Sequence, residues 1–66
     1  MRATVNGVER ELAEGTTVDA LLAELGATQD GLAIAVNQRV VRRDERERLT
    51  IADGDAVEIV RAVAGG

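Results

Sequence analysis

The chain of 66 residues contains no cysteine, histidine, lysine, serine, tyrosine, phenylalanine or tryptophan. Each gap removes a class of chemistry. Without cysteine, neither a disulfide nor a thiolate metal site can staple the fold, which is compatible with a reducing compartment. The usual nucleophiles shrink to threonine and carboxylates, and the usual general bases to aspartate and glutamate. A metal site would need an all-oxygen shell. The only tight acidic pair with a glycine, Asp53-Gly54-Asp55, is far too short for a calcium loop of about 12 residues. This inventory argues against an enzyme working alone. Chemistry at this chain would use it as a substrate or carrier for a partner's active site.

Other absences bound location and partners. No apolar run approaches the roughly 20 residues needed to span a bilayer. The opening Met1-Arg2-Ala3-Thr4-Val5-Asn6 lacks the apolar stretch of a signal peptide. With a net charge of −4, the chain lacks the basic footprint of nucleic-acid binding. The expectation is a soluble cytoplasmic protein with neither nucleic acid nor membrane among its partners. All eight basic residues are arginine. A genome-wide base-composition bias accounts for that, and avoidance of self-conjugation through lysine is the functional alternative.

What is present reads as one domain over residues 1–66. A domain this small buries only about 60% of the surface its unfolded chain exposes. The core must therefore come from Val, Leu, Ile, Ala and Met, within a hydrophobic fraction of 45%. Residues 1–5 and 8–12 read as strands joined by Asn6-Gly7, the preferred centre of a two-residue type I′ hairpin. That register pairs Val5 with Val8 and puts Met1, Ala3, Val5, Val8 and Leu12 on the core face. Arg10 is the misfit and belongs near an edge. Thr17 suits a helix N-cap. Val18, Leu21, Leu22 and Leu25 then follow the i, i+3, i+4, i+7 rule, and Gly26 supplies the stop. A helix of about two turns is unstable alone and must dock on the sheet.

Further on, Ala33-Ile34-Ala35-Val36 reads as a short strand buried on both sides. Asn37-Gln38 reads as a second hairpin turn, with Arg39-Val40-Val41 returning. The mixed charge run Arg42 to Arg48 is a solvated loop or short helical turn, or alternatively a docking surface for a charged partner. Leu49 and Ile51 close a short strand or loop. After the Asp53-Gly54-Asp55 turn, the last strand runs from Val57 to Val63 with Val57 and Ile59 toward the core. The order predicts an α+β domain: a mixed sheet of four to five strands with one main helix packed on one face. That is the β-grasp, or ubiquitin-like, architecture.

The chain closes Ala62-Val63-Ala64-Gly65-Gly66. At average glycine usage, two terminal glycines fall together in about one chain in 200. Alone, the pair also fits a frayed tail without a role. Directly after the last strand of a β-grasp domain, it points to a flexible tail built for chemistry. A tail without side chains enters a narrow channel and approaches a nucleotide closely. Its carboxylate is a poor acyl donor until adenylation supplies a leaving group that a sulfur nucleophile can displace.

Over its whole length the sequence resembles the ThiS family of sulfur carriers. The matching pieces are Val5-Asn6-Gly7, Thr17-Val18 with Leu21-Leu22 and Leu25, and Ala35-Val36-Asn37-Gln38 with Val40-Val41 and Arg43. Asp53-Gly54-Asp55 with Val57-Glu58-Ile59-Val60, and Gly65-Gly66, complete the match. Arg42 departs from it, since the family often has proline there, in a loop remote from activation. The resemblance implies that a ThiF-type enzyme, using ATP, adenylates Gly66, with Gly65 beside it in the channel. Sulfur from a cysteine desulfurase persulfide then makes a thiocarboxylate, and thiazole synthase, ThiG, takes that sulfur for thiamin. No cofactor is expected on the chain itself. Val60, Ala62, Val63 and Ala64 are the expected partner-binding residues, an ordinary surface valine being the competing reading of Val60. The rivals are a MoaD-like carrier of molybdopterin synthesis, usually longer, a carrier feeding an amino acid or secondary metabolite, and a β-grasp interaction module with an incidental Gly-Gly.

Overall fold

Local chemistry sets each element of the computed structural model, which describes residues 1–27 and 30–61. Asn6 and Gly7 both take positive φ, 51° and 81°, as a type I′ turn demands. They join β1 (Arg2–Val5) to β2 (Val8–Glu11) in the predicted register, Val5 opposite Val8 and Ala3 opposite Arg10. The second hairpin uses the same turn. Asn37 and Gln38 sit at φ 52° and 68° between β3 (Leu32–Val36) and β4 (Arg39–Val41).

The helix α1 (Val18–Glu24) begins and ends as the sequence directs. The Thr17 hydroxyl accepts from the Ala20 N–H at 3.1 Å. At the other end Gly26 N–H donates to Ala23 and Ala27 N–H to Leu22. That is the Schellman pattern, with Gly26 at φ 71° in the left-handed region. The two remaining amides of the first turn have backbone partners. Val18 N–H donates to the Leu49 carbonyl at 2.9 Å and Asp19 N–H to that of Arg46 at 2.8 Å. The charge run Arg42–Arg48 is thus a short helical turn, a 3-10 helix over Arg43–Glu45, and the carbonyls just after it satisfy donors the helix would leave open. Leu49 is 37% exposed and forms no strand. An isolated bridge between Thr17 and Thr50 ties this segment to the start of the helix instead.

The last strand, β5 (Ala56–Arg61), inserts between the hairpins. It runs parallel to β1 and antiparallel to β3, giving the order β2-β1-β5-β3-β4. This is the mixed five-stranded sheet with one helix on one face that defines the β-grasp. Ala3, Val5, Ile34, Val41 and Val57 meet Val18, Leu21 and Leu22 in the core, and Leu12 and Ile51 close it. Met1 and Ile59 pack against its margin.

Two expectations fail, each for its own geometric reason. Val8, assigned to the core face, is 63% exposed. A seven-residue helix is about 10 Å long, whereas five strands span roughly 19 Å. Val8, on an edge strand beside the hairpin turn, lies beyond the helix's reach. Arg10 lies on the same edge strand, as expected. The β3 strand is covered on one side only. Ile34 is buried, while Ala33 is exposed and Ala35 half-buried on the helix-free side. The predicted continuation of the last strand through Ala62 and Val63 lies outside the described residues. Among the described residues no helix is long and apolar enough to cross a membrane.

Candidate functional site: the open face and the end of β5

Side-chain alternation divides the sheet into a covered face and an open one. The register places Val60 opposite Ala33, and Ala35 opposite both Glu58 and Val40, on the open face. Val60 is 57% exposed and Val40 73%. Together with Ala33 and Ala35 they make an apolar strip across β5, β3 and β4. The β1–β2 half of the same face is charged. There Arg2 bridges Glu9 at 2.6 Å and Glu11 at 3.6 Å, all three side chains being well exposed. One half therefore offers apolar area to a partner and the other a screened ion-pair cluster of little energetic weight. Of the expected partner-binding residues, Val60 stands on this strip. Ala62, Val63, Ala64, Gly65 and Gly66 lie outside the described residues.

The strand leading toward those residues has an uneven frame. Pairing of β1 with β5 ends at Val5 opposite Val57, while pairing with β3 continues to Leu32 opposite Arg61. From Val57 onward, β5 has a strand on one side only. On the other side stands Asn6. Its N–H donates to the Val57 carbonyl at 2.9 Å. Its side-chain Nδ2 donates to the Ile59 carbonyl at 3.1 Å, and its Oδ1 accepts from the Ile59 N–H at 2.8 Å. The side-chain amide thus makes the two hydrogen bonds that a strand residue would have made there.

Asn37 holds the beginning of β5 from the β3 side. Its N–H donates to the Ala56 carbonyl at 2.7 Å. Its Oδ1 accepts from the Ala56 N–H and its Nδ2 donates to the Asp55 carboxylate, both at 2.9 Å. Sequence reasoning assigns both asparagines to their turns and misses these contacts. The signal available was the choice of Asn at both turns, since its side chain carries a donor and an acceptor. The outward strip through Val40 and Ala33 was also missed, although apolar residues at outward strand positions are its sequence trace.

Beside β4, Val36, Asn37, Arg39, Val41, Leu49 and Asp55 line a groove of about 420 Å³. It lies at the Asn37 end of the sheet, away from Arg61, and gathers no set of convergent reactive groups. Among the described residues no cluster of three or more candidate ligands could hold a metal ion.

The comparisons with known proteins agree with this geometry. Residues 3–66 match the ThiS family. The chain is 35% identical to the sulfur carrier protein ThiS of Escherichia coli K12 over 66 residues, covering both chains completely. It is 36% identical over 62 residues to the sulfur carrier protein ThiS of Thermus thermophilus, covering 94% of this chain and 95% of that one. It is also 36% identical over its whole length to a stretch of the thiazole synthase of Paramagnetospirillum magneticum, of which it spans only 20%. The crystal structure of the thiamine biosynthesis protein ThiS from Geobacter metallireducens superposes with a TM-score of 0.88 at 35% identity, covering both chains completely. A sheet whose last strand leads toward Gly65-Gly66, matched along its full length to these carriers, identifies the chain as belonging to the ThiS family.

Proposed function

We propose that this chain carries sulfur on the carboxylate of Gly66 and delivers it to thiamin thiazole synthesis in the cytoplasm. The observation that carries the reading is the full-length match to ThiS carriers by a chain whose last strand is followed by Gly-Gly. The chain is a carrier and not a catalyst. A ThiF-type enzyme couples the Gly66 carboxylate to ATP, releasing pyrophosphate and leaving an acyl-adenylate. A persulfide whose outer sulfur comes from a cysteine desulfurase displaces AMP to give an acyl disulfide, and a thiol reductant then cleaves its S–S bond, leaving the thiocarboxylate and a disulfide. The absence of side chains at Gly65 and Gly66 suits close approach to a nucleotide.

The partner that consumes the sulfur is a thiazole synthase. Two thiazole synthases contain a stretch similar to this whole chain, each about five times its length. Joining carrier and consumer on one chain raises their effective concentration, which makes sense where the two meet repeatedly. The strip of Val60, Ala33, Ala35 and Val40 is the surface offered to these partners, with Ala62, Val63 and Ala64 continuing from it along the sequence.

Exchange of labelled pyrophosphate into ATP tests the first step. A ThiF-type enzyme should catalyse exchange only when this chain is present, and the chain lacking Gly66 should support none. Equal exchange with the truncated chain would refute activation at Gly66.

A further inference from the structure

We propose that Asn6 is a positioning residue for the activated end of the chain, a role that rests on the carrier reading above. The two hairpin asparagines are built alike. Each sits at the first turn position with φ near 50°, and each uses its backbone N–H and both ends of its side-chain amide, Asn6 on β5 alone and Asn37 on Ala56 of β5 and the Asp55 carboxylate just before it. They differ in where they hold the strand. Asn37 secures Ala56, where β5 begins and the Asp55 turn already restrains the chain through the Ala52 N–H bond to Asp55, 2.8 Å. Asn6 secures Ile59, two residues past the last β1 pair at Val57 and two before Arg61.

Ile59 therefore lies where β5 has lost one of its neighbours. Without the Asn6 amide, the N–H and C=O of Ile59 would turn to water, and the strand end would be held by β3 alone. Local opening concentrates where backbone hydrogen bonds are few and exposed. A partner that grips the segment leading to Gly66 must then order it on binding, and that ordering cost appears as weaker association. Asn6 keeps the end of β5 straight and in plane in advance. It neither meets the nucleotide nor reacts.

The test compares N6G with N37G in the full chain. Glycine keeps the positive φ that each turn requires, so both variants retain their hairpins and each loses one clamp. Amide exchange should accelerate at Ile59 in N6G and at Ala56 in N37G. In steady-state adenylation by a ThiF-type enzyme, N6G should raise the KM for the carrier about fivefold with kcat within about twofold. N37G should leave both within about twofold. A merely structural role predicts equal kinetics for two variants of similar thermal stability, and that result overturns the proposal. Should N6G fail to fold, N6D serves, since it keeps the acceptor toward Ile59 N–H while the donor gives way to a carboxylate oxygen that the Ile59 carbonyl repels. Turnover of the unaltered chain in the same assay tests the carrier reading separately. If that chain is not activated, the carrier reading falls, and the role given to Asn6 falls with it.

Discussion

The two faces of the sheet hold similar kinds of residue to different ends. On the covered face Ile34, Val41 and Val57 are 5% exposed or less beneath Leu21 and Leu22. On the open face Val40 and Val60 are more than half exposed, each a single position along the chain from a residue of the covered face, Val41 and Ile59 respectively. The covered face is where a small domain without aromatics or disulfides finds its stability. The open face contributes little to that and leaves apolar area in solvent. The difference teaches that valine content alone says nothing about role. Position relative to a seven-residue helix decides it.

The comparison can be broken or sharpened by substitution. The largest effect is expected at neither face. Removing Gly66 should abolish adenylation while the melting temperature stays unchanged, because the described residues from Ala3 to Val57 already pack a common core. A large thermal shift would make the tail structural.

Next comes Leu21→Ala on the covered face. Leu21 is 1% exposed, and its truncation should cost about 2–5 kcal/mol, much of the total stability of a small domain. Urea unfolding reads this directly. A cost below about 1 kcal/mol would show that the helix is not the main cover of the core.

On the open face Val60→Thr keeps the branched shape and strand propensity but adds a hydroxyl that docking must desolvate. Affinity for a thiazole synthase should fall about tenfold with little change in melting temperature, measured by titration calorimetry and thermal scans. Unchanged affinity would remove Val60 from the docking surface. The smallest effect is expected in the charged half of that face. Arg2→Ala breaks both exposed ion pairs and should alter stability by less than about 1 kcal/mol. A larger loss would mean that the cluster is structural.

What could be read in the sequence was mainly what neighbouring residues decide among themselves. Asn6-Gly7 and Asn37-Gln38 fix their turns through φ, Thr17 and Gly26 fix the helix ends, and the spacing of Val18, Leu21 and Leu22 fixes its buried side. The mixed sheet followed from that order of elements. Burial at the margins was not legible, because Val8 is exposed or covered according to how far the helix reaches across the sheet. Ala33 and Ala35 misled for another reason: alanine is small enough to suit either face. The Asn6 clamp joins residues 53 apart in sequence, and nothing local announces which strand will lie beside the hairpin. Within the site, Gly65-Gly66 was legible as composition at a position, whereas the strip around Val60 needed the register of three strands.

The central claim is that the acyl group at Gly66 becomes a sulfur donor. Intact-mass spectrometry of the chain after incubation with ATP, a ThiF-type enzyme and a sulfide source tests it most directly. The account predicts a product in which one oxygen has been replaced by one sulfur, mapped by fragmentation to Gly66. An unchanged mass, or sulfur found anywhere else on the chain, would contradict it.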